Sequence, residues 1–189
     1  RIVANGNEIT GLAPYEIWRK GLTRTFQKNT IFPGLTVAEN LRLAAQARKG
    51  LGRQWFRPAT RFDEVNQDVA AIAARVGLSD RLGTRAEDMA YGEQRQLEVG
   101  IALAGHPSLL LLDEPTAGMS PAETERMTKM LAELPRRVTI LIVEHDMDVV
   151  FALADRVTVL NFGEILAEGT PSEIQSDRRV LDAYLGGHA

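Results

Sequence analysis

Four consecutive leucines, Leu109 to Leu112, run directly into Asp113-Glu114-Pro115, and this segment constrains the fold more than any other. An apolar run without alternation, bounded by turn residues, suits a parallel strand covered on both faces. Val138 to Val143 reads as a second buried strand, and Leu22 to Phe26 as a third. Between these runs the apolar residues recur at helical spacing. Strands alternating with helices predict an α/β fold with a mostly parallel sheet.

The helical segments carry their own start and stop signals. Pro14 to Lys20 reads as a short helix ended by Gly21. Thr36-Val37-Ala38-Glu39 is a capping box, in which the threonine side chain bonds the Glu39 amide and the glutamate reaches back; its helix runs to about Ala47. From Glu64, the residues Val65, Val69, Ile72, Ala73 and Val76 recur on one helical face, and Gly77 stops it. A further helix follows Gly92 and ends at Gly105 and Pro107. Ser120-Pro121-Ala122-Glu123 combines a capping box with proline at the first helical position. Asp146 caps a short helix to about Ala154. Val157–Leu160 and Ile165–Glu168 flank Asn161-Phe162-Gly163 as a hairpin, and two short helices finish the chain. The stretch from about Thr36 to Ala104 is helical throughout and reads as a subdomain inserted into the sheet-bearing core. Arg48 to Arg61 holds five arginines and lysines and no acid, so it reads as a solvated, mobile loop.

Composition narrows the classes. The chain has 189 residues, enough for one domain with a subdomain. Its net charge of -3 gives no general attraction to nucleic acid or anionic lipid, so no nucleic-acid partner is expected. It has no cysteine, which removes disulfides and thiolate metal sites. No apolar run approaches the roughly 20 residues that span a bilayer. The first residue is Arg1 rather than Met, and the chain is expected to begin away from a natural initiation site.

Four segments carry chemistry. Asp113 and Glu114 stand where a buried strand ends, and ligands of open α/β sheets bind at the carboxyl ends of strands. One carboxylate there can hold Mg²⁺, a hard cation, and the other can polarise a water for in-line attack on a phosphate. The alternative for this segment read alone is a pair of solvated turn acids. Met89-Ala90-Tyr91-Gly92-Glu93-Gln94 precedes a helix, whose amides and dipole attract anions; alone, it is a helix start with a helpful glycine. His145, after a strand, can bond a phosphate oxygen or serve structure. Thr25-Phe26-Gln27 places an amide after a strand and means little by itself.

The order and spacing of all four together resemble the ATP-binding-cassette (ABC) ATPases. Phe26-Gln27 is similar to the Q-loop, Tyr91-Gly92-Glu93-Gln94-Arg95-Gln96 to the signature motif, and Leu109–Pro115 to Walker B. Ala117-Gly118-Met119-Ser120 is similar to the D-loop, and His145 to the switch histidine. The segments Glu8–Leu12, Arg24–Gln27, Phe32–Val37, Tyr91–Glu98 and Ala183–Gly186 resemble the ATPases of branched-chain amino acid importers, and the long loop through Trp55 the larger of their two paired ATPases. Importers of urea or amides share that plan.

The resemblance implies a P-loop NTPase fold, with a core of residues 1–35 and 105–189 and a helical signature subdomain of 36–104. It implies ATP and Mg²⁺ as ligands. Asp113 would bind Mg²⁺, Glu114 would activate water, His145 would contact the γ-phosphate, and Gln27 would touch Mg²⁺ or water. Ala90, Tyr91, Gly92, Glu93 and Ser120 would serve the ATP of an opposing cassette, in a homodimer or heterodimer. Membrane permease subunits, and through them a solute-binding protein, are the implied partners. The implied location is the cytoplasmic face of the cell membrane.

The chain departs from the family pattern twice. Ala90 stands at the signature serine position. No G-x-x-x-x-G-K-[ST] occurs in the 189 residues, so the phosphate-cradling amides, lysine and hydroxyl are missing, and the adenine-stacking aromatic is expected upstream. The chain as given is therefore expected to be inactive, with a non-catalytic cassette module or a soluble, non-transport ABC protein as alternatives. In the family's strand order the P-loop strand lies between Val138–Val143 and Val157–Leu160. These two strands are expected to flank a slot, with Leu141 and Val159 uncovered.

Overall fold

The computed structural model describes residues 1–25, 31–49 and 63–185, which fall into two compact units, Arg1–Val143 and Glu144–Ala189. Gln27 lies outside the described residues, and so does the Arg48–Arg61 loop apart from Arg48 and Lys49.

The first unit opens with a two-stranded antiparallel ribbon, β1 (Val3–Ala4) and β2 (Asn7–Glu8). Helix α1 (Pro14–Arg19) follows and stops before Gly21, whose φ of 85° only glycine adopts freely. The sheet is then laid down in three pieces: β3 (Leu22–Arg24), β4 (Leu109–Asp113) and β5 (Thr139–Val143), parallel and in the order β3-β4-β5. Leu111 sits between Arg24 and Leu141 in register, and Asp113 lies opposite Val143.

The expectation that β4 is covered on both faces holds for one of them. Leu110 and Leu112 are fully buried, whereas Leu109 and Leu111 are half-buried. The same face continues on β5 as Thr139, Leu141 and Val143, all exposed.

Helices α2 (Val37–Arg48), α3 (Asp63–Arg75) and α4 (Tyr91–Ala104) pack on one another. Leu41, Val65, Val76 and Leu97 are fully buried among them. The Thr36 box forms in full, with the Glu39 amide donating to Thr36 Oγ1 at 3.2 Å and the Thr36 amide donating to Glu39 Oε2 at 2.8 Å. Helix α5 (Pro121–Ala132) starts at its proline, after the Ser120–Glu123 box, as expected. Glu123 Oε2 accepts from the Ser120 amide at 2.9 Å, and the Ser120 hydroxyl donates to the same oxygen at 2.6 Å.

The second unit contains α6 (Met147–Leu153), the antiparallel hairpin β6 (Val157–Asn161) and β7 (Glu164–Gly169), and helices α7 (Pro171–Ser176) and α8 (Arg178–Leu185). Asp146 Oδ1 caps α6 by accepting from the Asp148 and Val149 amides at 3.0 and 3.3 Å. Val150, Val157, Val159, Ala167, Ile174 and Val180 form its core.

Among the described residues no ladder joins β5 to β6; β5 pairs with β4 and β6 with β7. Of the two residues expected to be uncovered, Leu141 is 59% exposed but Val159 is buried. The alternation along β6 points Val157 and Val159 into the unit's own core, and it is Leu160, on the opposite face, that stands open.

Candidate nucleotide site

The strand end at β4 is built by register. Thr25 continues the β3–β4 ladder, donating its amide to Leu111 O at 3.0 Å, and Glu114 continues the β4–β5 ladder, donating to Val143 O at 2.8 Å. Asp113 and Glu114 are thus fixed at the carboxyl end of the central strand, both half-buried. At Glu114 the backbone turns into the left-handed region, with φ 45°. A non-glycine residue there costs about 1–2 kcal/mol. The Ala117 amide closes the bend onto Glu114 O at 3.1 Å. Asp113 also has a partner that sequence reasoning did not single out. Arg24, which shares its sheet face through the Leu111 register, donates from Nη2 to Asp113 Oδ2 at 3.0 Å.

The loop after Pro115 leads to a second cluster, at the start of α4. Ala90 is the N-cap and has no side-chain acceptor, but Glu93 supplies the other half of a cap by accepting from the Ala90 amide at 3.1 Å. Arg81 Nε donates to the other Glu93 oxygen at 3.0 Å. Gly92 is buried and donates its amide to Glu123 Oε1 at 3.3 Å. A Cβ at Gly92 would lie 2.5 Å from that oxygen, so a larger residue would push the Glu123 side chain aside. Glu123 therefore bridges the signature segment to Ser120, and the Ser120 hydroxyl, the Ser120 amide and the Gly92 amide hold its pKa below the ordinary carboxylate value.

Tyr91 lies against the same loop. Its hydroxyl donates to Ala117 O at 3.2 Å, and its ring packs beside Gly118. Arg95, one turn on, sits 5.3 Å from the Tyr91 ring centroid, donates from Nε to the Tyr91 hydroxyl at 3.0 Å, and bonds Glu98 at 2.8 Å. The Arg95 and Glu98 side chains retain 10% and 2% of their surface. A cleft of about 400 Å³ opens beside this cluster, lined in part by Arg75, Gly92, Glu93, Glu123, Arg126 and Lys129.

His145 belongs to the second unit, two positions beyond the last residue of β5. Its side chain is 71% exposed, with Nδ1 3.8 Å from Glu144 Oε2. The Glu144 side chain is buried, and its Oε2 accepts from the His145 amide at 3.0 Å. The structure therefore brings Asp113 and Glu114 together at the end of β4, and Ala90, Tyr91, Gly92, Glu93 and Ser120 together at the start of α4.

Sequence reasoning missed Arg24, Arg95, Glu98 and Glu123 as members of these clusters. Arg95 and Glu98 carried a usable signal, since opposite charges three residues apart meet on a helix. Arg24 carried none, because its partner is 89 residues away; Glu123 was marked by its box with Ser120, but its bond to Gly92, 31 residues away, had no local signal.

Comparison with known proteins bears on the whole arrangement. The family described as ABC transporter matches residues 1–117, and the family described as branched-chain amino acid ATP-binding cassette transporter matches residues 164–189. The high-affinity branched-chain amino acid transport ATP-binding protein LivG of Salmonella typhimurium is 39% identical over 98% of this chain and 75% of its own length. BraF of Pseudomonas aeruginosa, which bears the same description, is 39% identical over 96% of this chain and 74% of its own. A solved ATP-binding cassette of an ABC transporter in its ADP conformation superposes with a TM-score of 0.78 at 28% identity, over 96% of this chain and 75% of the other. A family match over more than half of the residues, and relatives this similar along nearly the whole sequence, lead to one conclusion: the chain belongs to the ABC transporter family, as an ATP-binding cassette with an α/β P-loop NTPase fold.

Proposed function

We propose that this chain is the ATP-hydrolysing subunit of an ABC importer for branched-chain amino acids, and that it works as one of two cassettes beneath membrane permease subunits fed by a solute-binding protein. The names of LivG and BraF support the solute class. No described helix is long and apolar enough to cross a membrane. In the proposed assembly the permease partners hold the cassette at the cytoplasmic face of the membrane. The domain division proposed is a core of 1–35 and 105–189 and a signature subdomain of 36–104, supported by the mutual packing of α2, α3 and α4.

The observation that carries the mechanism is the carboxylate pair at the end of β4, with Glu114 held at φ 45°. Strain of this sort collects where function demands a fixed side-chain direction. Glu114 would take the proton of the attacking water, and His145 would bond the γ-phosphate. The donor set fits Mg²⁺, which binds through one or two carboxylates together with phosphate and water oxygens: Asp113 and Gln27 would hold it, and it would supply charge neutralisation at the phosphates. To bind, it must share Asp113 with Arg24. The segment Ala90–Glu93 and Ser120 would face the ATP of the second cassette, with the α4 amides and dipole favouring the phosphate.

The 189 residues contain no phosphate-cradling glycine loop with its lysine, which favours a second reading of the chain by itself as a cassette module that does not turn over ATP. Both readings are tested together. Calorimetric titration of the chain with Mg-ATP should show no saturable micromolar binding; such binding would overturn the inactivity reading. In the protein carrying a P-loop segment ahead of Arg1, Glu114→Gln should retain ATP binding and lose turnover by at least about 100-fold, the scale of a general base. Near wild-type hydrolysis in that variant would remove Glu114 from the chemistry.

A further inference from the structure

A continuous chain of contacts runs from the interior of α4 to the loop after β4. Glu98 bonds Arg95, Arg95 Nε donates to the Tyr91 hydroxyl, and that hydroxyl donates to Ala117 O. The Tyr91 hydroxyl thus both accepts and donates, and each bond in such a chain polarises the next. The guanidinium also covers the Tyr91 ring, and the ring packs beside Gly118, whose φ of 76° fixes the turn. On the far side of the loop, Glu123 bonds Ser120 and reaches the Gly92 amide. Residues 117–120 are therefore fastened to the first turn of α4 at both of their ends.

We infer that Tyr91 and Arg95 are positioning residues that lock loop 117–120 to the first turn of α4, so that the two segments respond as one body to whatever displaces either. Arg95 acts through Tyr91: it orients the phenol, and its own charge is balanced by Glu98. The consequence for catalysis rests on the ATPase reading given above, in which both segments face the second cassette. Under that reading, contact made at Ala90–Glu93 moves the loop that follows Glu114 without a separate signal. The lock itself is a property of the folded chain and needs no nucleotide.

Amide hydrogen exchange on the 189-residue chain, read residue by residue without ATP, tests it. Tyr91→Phe keeps the ring and removes the hydroxyl. The amides of Ala117, Met119 and Ser120, which bond Glu114 O, Thr116 O and Glu123, should exchange about fivefold faster, the effect of losing one ordinary hydrogen bond. The Leu110 and Leu112 amides of β4 should keep their rates. Arg95→Lys keeps a cation for Glu98 but loses the Nε bond to the Tyr91 hydroxyl; it should give the same local acceleration, and adding it to Tyr91→Phe should accelerate the loop no further. Unchanged loop rates in Tyr91→Phe overturn the proposal. So does an equal acceleration in β4, which would make the contact a matter of general stability. If Arg95→Lys does not fold, Tyr91→Phe decides alone. Because no ATP is present, a failed lock and a failed ATPase assignment give different results.

Discussion

Arg95 and Glu98 form an ion pair in the interior of α4, and its removal has a calculable cost. Their side chains retain 10% and 2% of their surface, and the bond between them is 2.8 Å. Burial works against the Arg95 charge, and the bonds to Glu98 and to the Tyr91 hydroxyl outweigh it, so the guanidinium is held protonated more firmly than in water. Replacing Arg95 by Met keeps most of the aliphatic volume but takes from the buried Glu98 carboxylate the cation it bonds at 2.8 Å. Breaking one side of a buried pair costs roughly 3–5 kcal/mol. Arg95 reaches the surface along Tyr91, which is 41% exposed, so the lower end, about 3 kcal/mol, applies here. Replacing both partners, as Arg95→Met with Glu98→Leu, removes both buried charges and should return stability to within about 1 kcal/mol of the parent. The assay is urea denaturation followed by circular dichroism on the parent, the single and the double variant, compared at equal slope. A single variant within about 1 kcal/mol of the parent, or a double variant as weak as the single, would refute the reasoning, since either result means that Glu98 is not confined by burial.

Two further outcomes follow from the described geometry. Glu39, Glu123 and Glu173 have pKa values lowered by bonds from Thr36, Ser120 and Thr170 respectively, and Asp177 has one lowered by the Arg179 side chain. Their folded values lie below their unfolded ones, so the stability they contribute is present above the ordinary glutamate value of 4.5 and is lost as pH falls through the folded values. The urea midpoint should therefore hold from pH 7 to 5 and drop toward pH 3, and a midpoint constant down to pH 3 counts against these bonds. At Glu114, where φ is 45°, Glu114→Gly should be more stable than Glu114→Ala by about 1 kcal/mol, the reverse of the usual order, because only glycine escapes the left-handed penalty; equal midpoints would place Glu114 in an ordinary conformation.

Much of this fold could be read from local residues because local residues cause it. The leucine run, the Thr36–Glu39 box, Gly21 and Gly77 as stops, Asp146 as a cap and the Asn161–Gly163 turn all act within a few positions of themselves, and each lies where the sequence placed it. The carboxylate pair was legible for the same reason, since a strand end is a local event. What escaped was set by pairing across the chain. The coverage of Leu111 and Leu141 depends on which elements reach that face of the sheet, and the burial of Val159 on helices α6, α7 and α8 folding back over the hairpin.

The open side of β5 bears on how the chain behaves in solution. Thr139-Ile140-Leu141-Ile142-Val143 is a short, uncharged, β-branched stretch, and among the described residues its one ladder partner is β4. Such a stretch is a template for pairing with another molecule. The sequence brackets it with Arg136 and Arg137 on one side and Glu144, His145 and Asp146 on the other, and charges at the flanks of an apolar strand oppose stacking into fibrils. The residues beside the candidate catalytic histidine thus also act as gatekeepers. Replacing Arg136 and Arg137 by neutral residues would shorten the time the chain stays soluble on warming while leaving the sheet's own pairing intact.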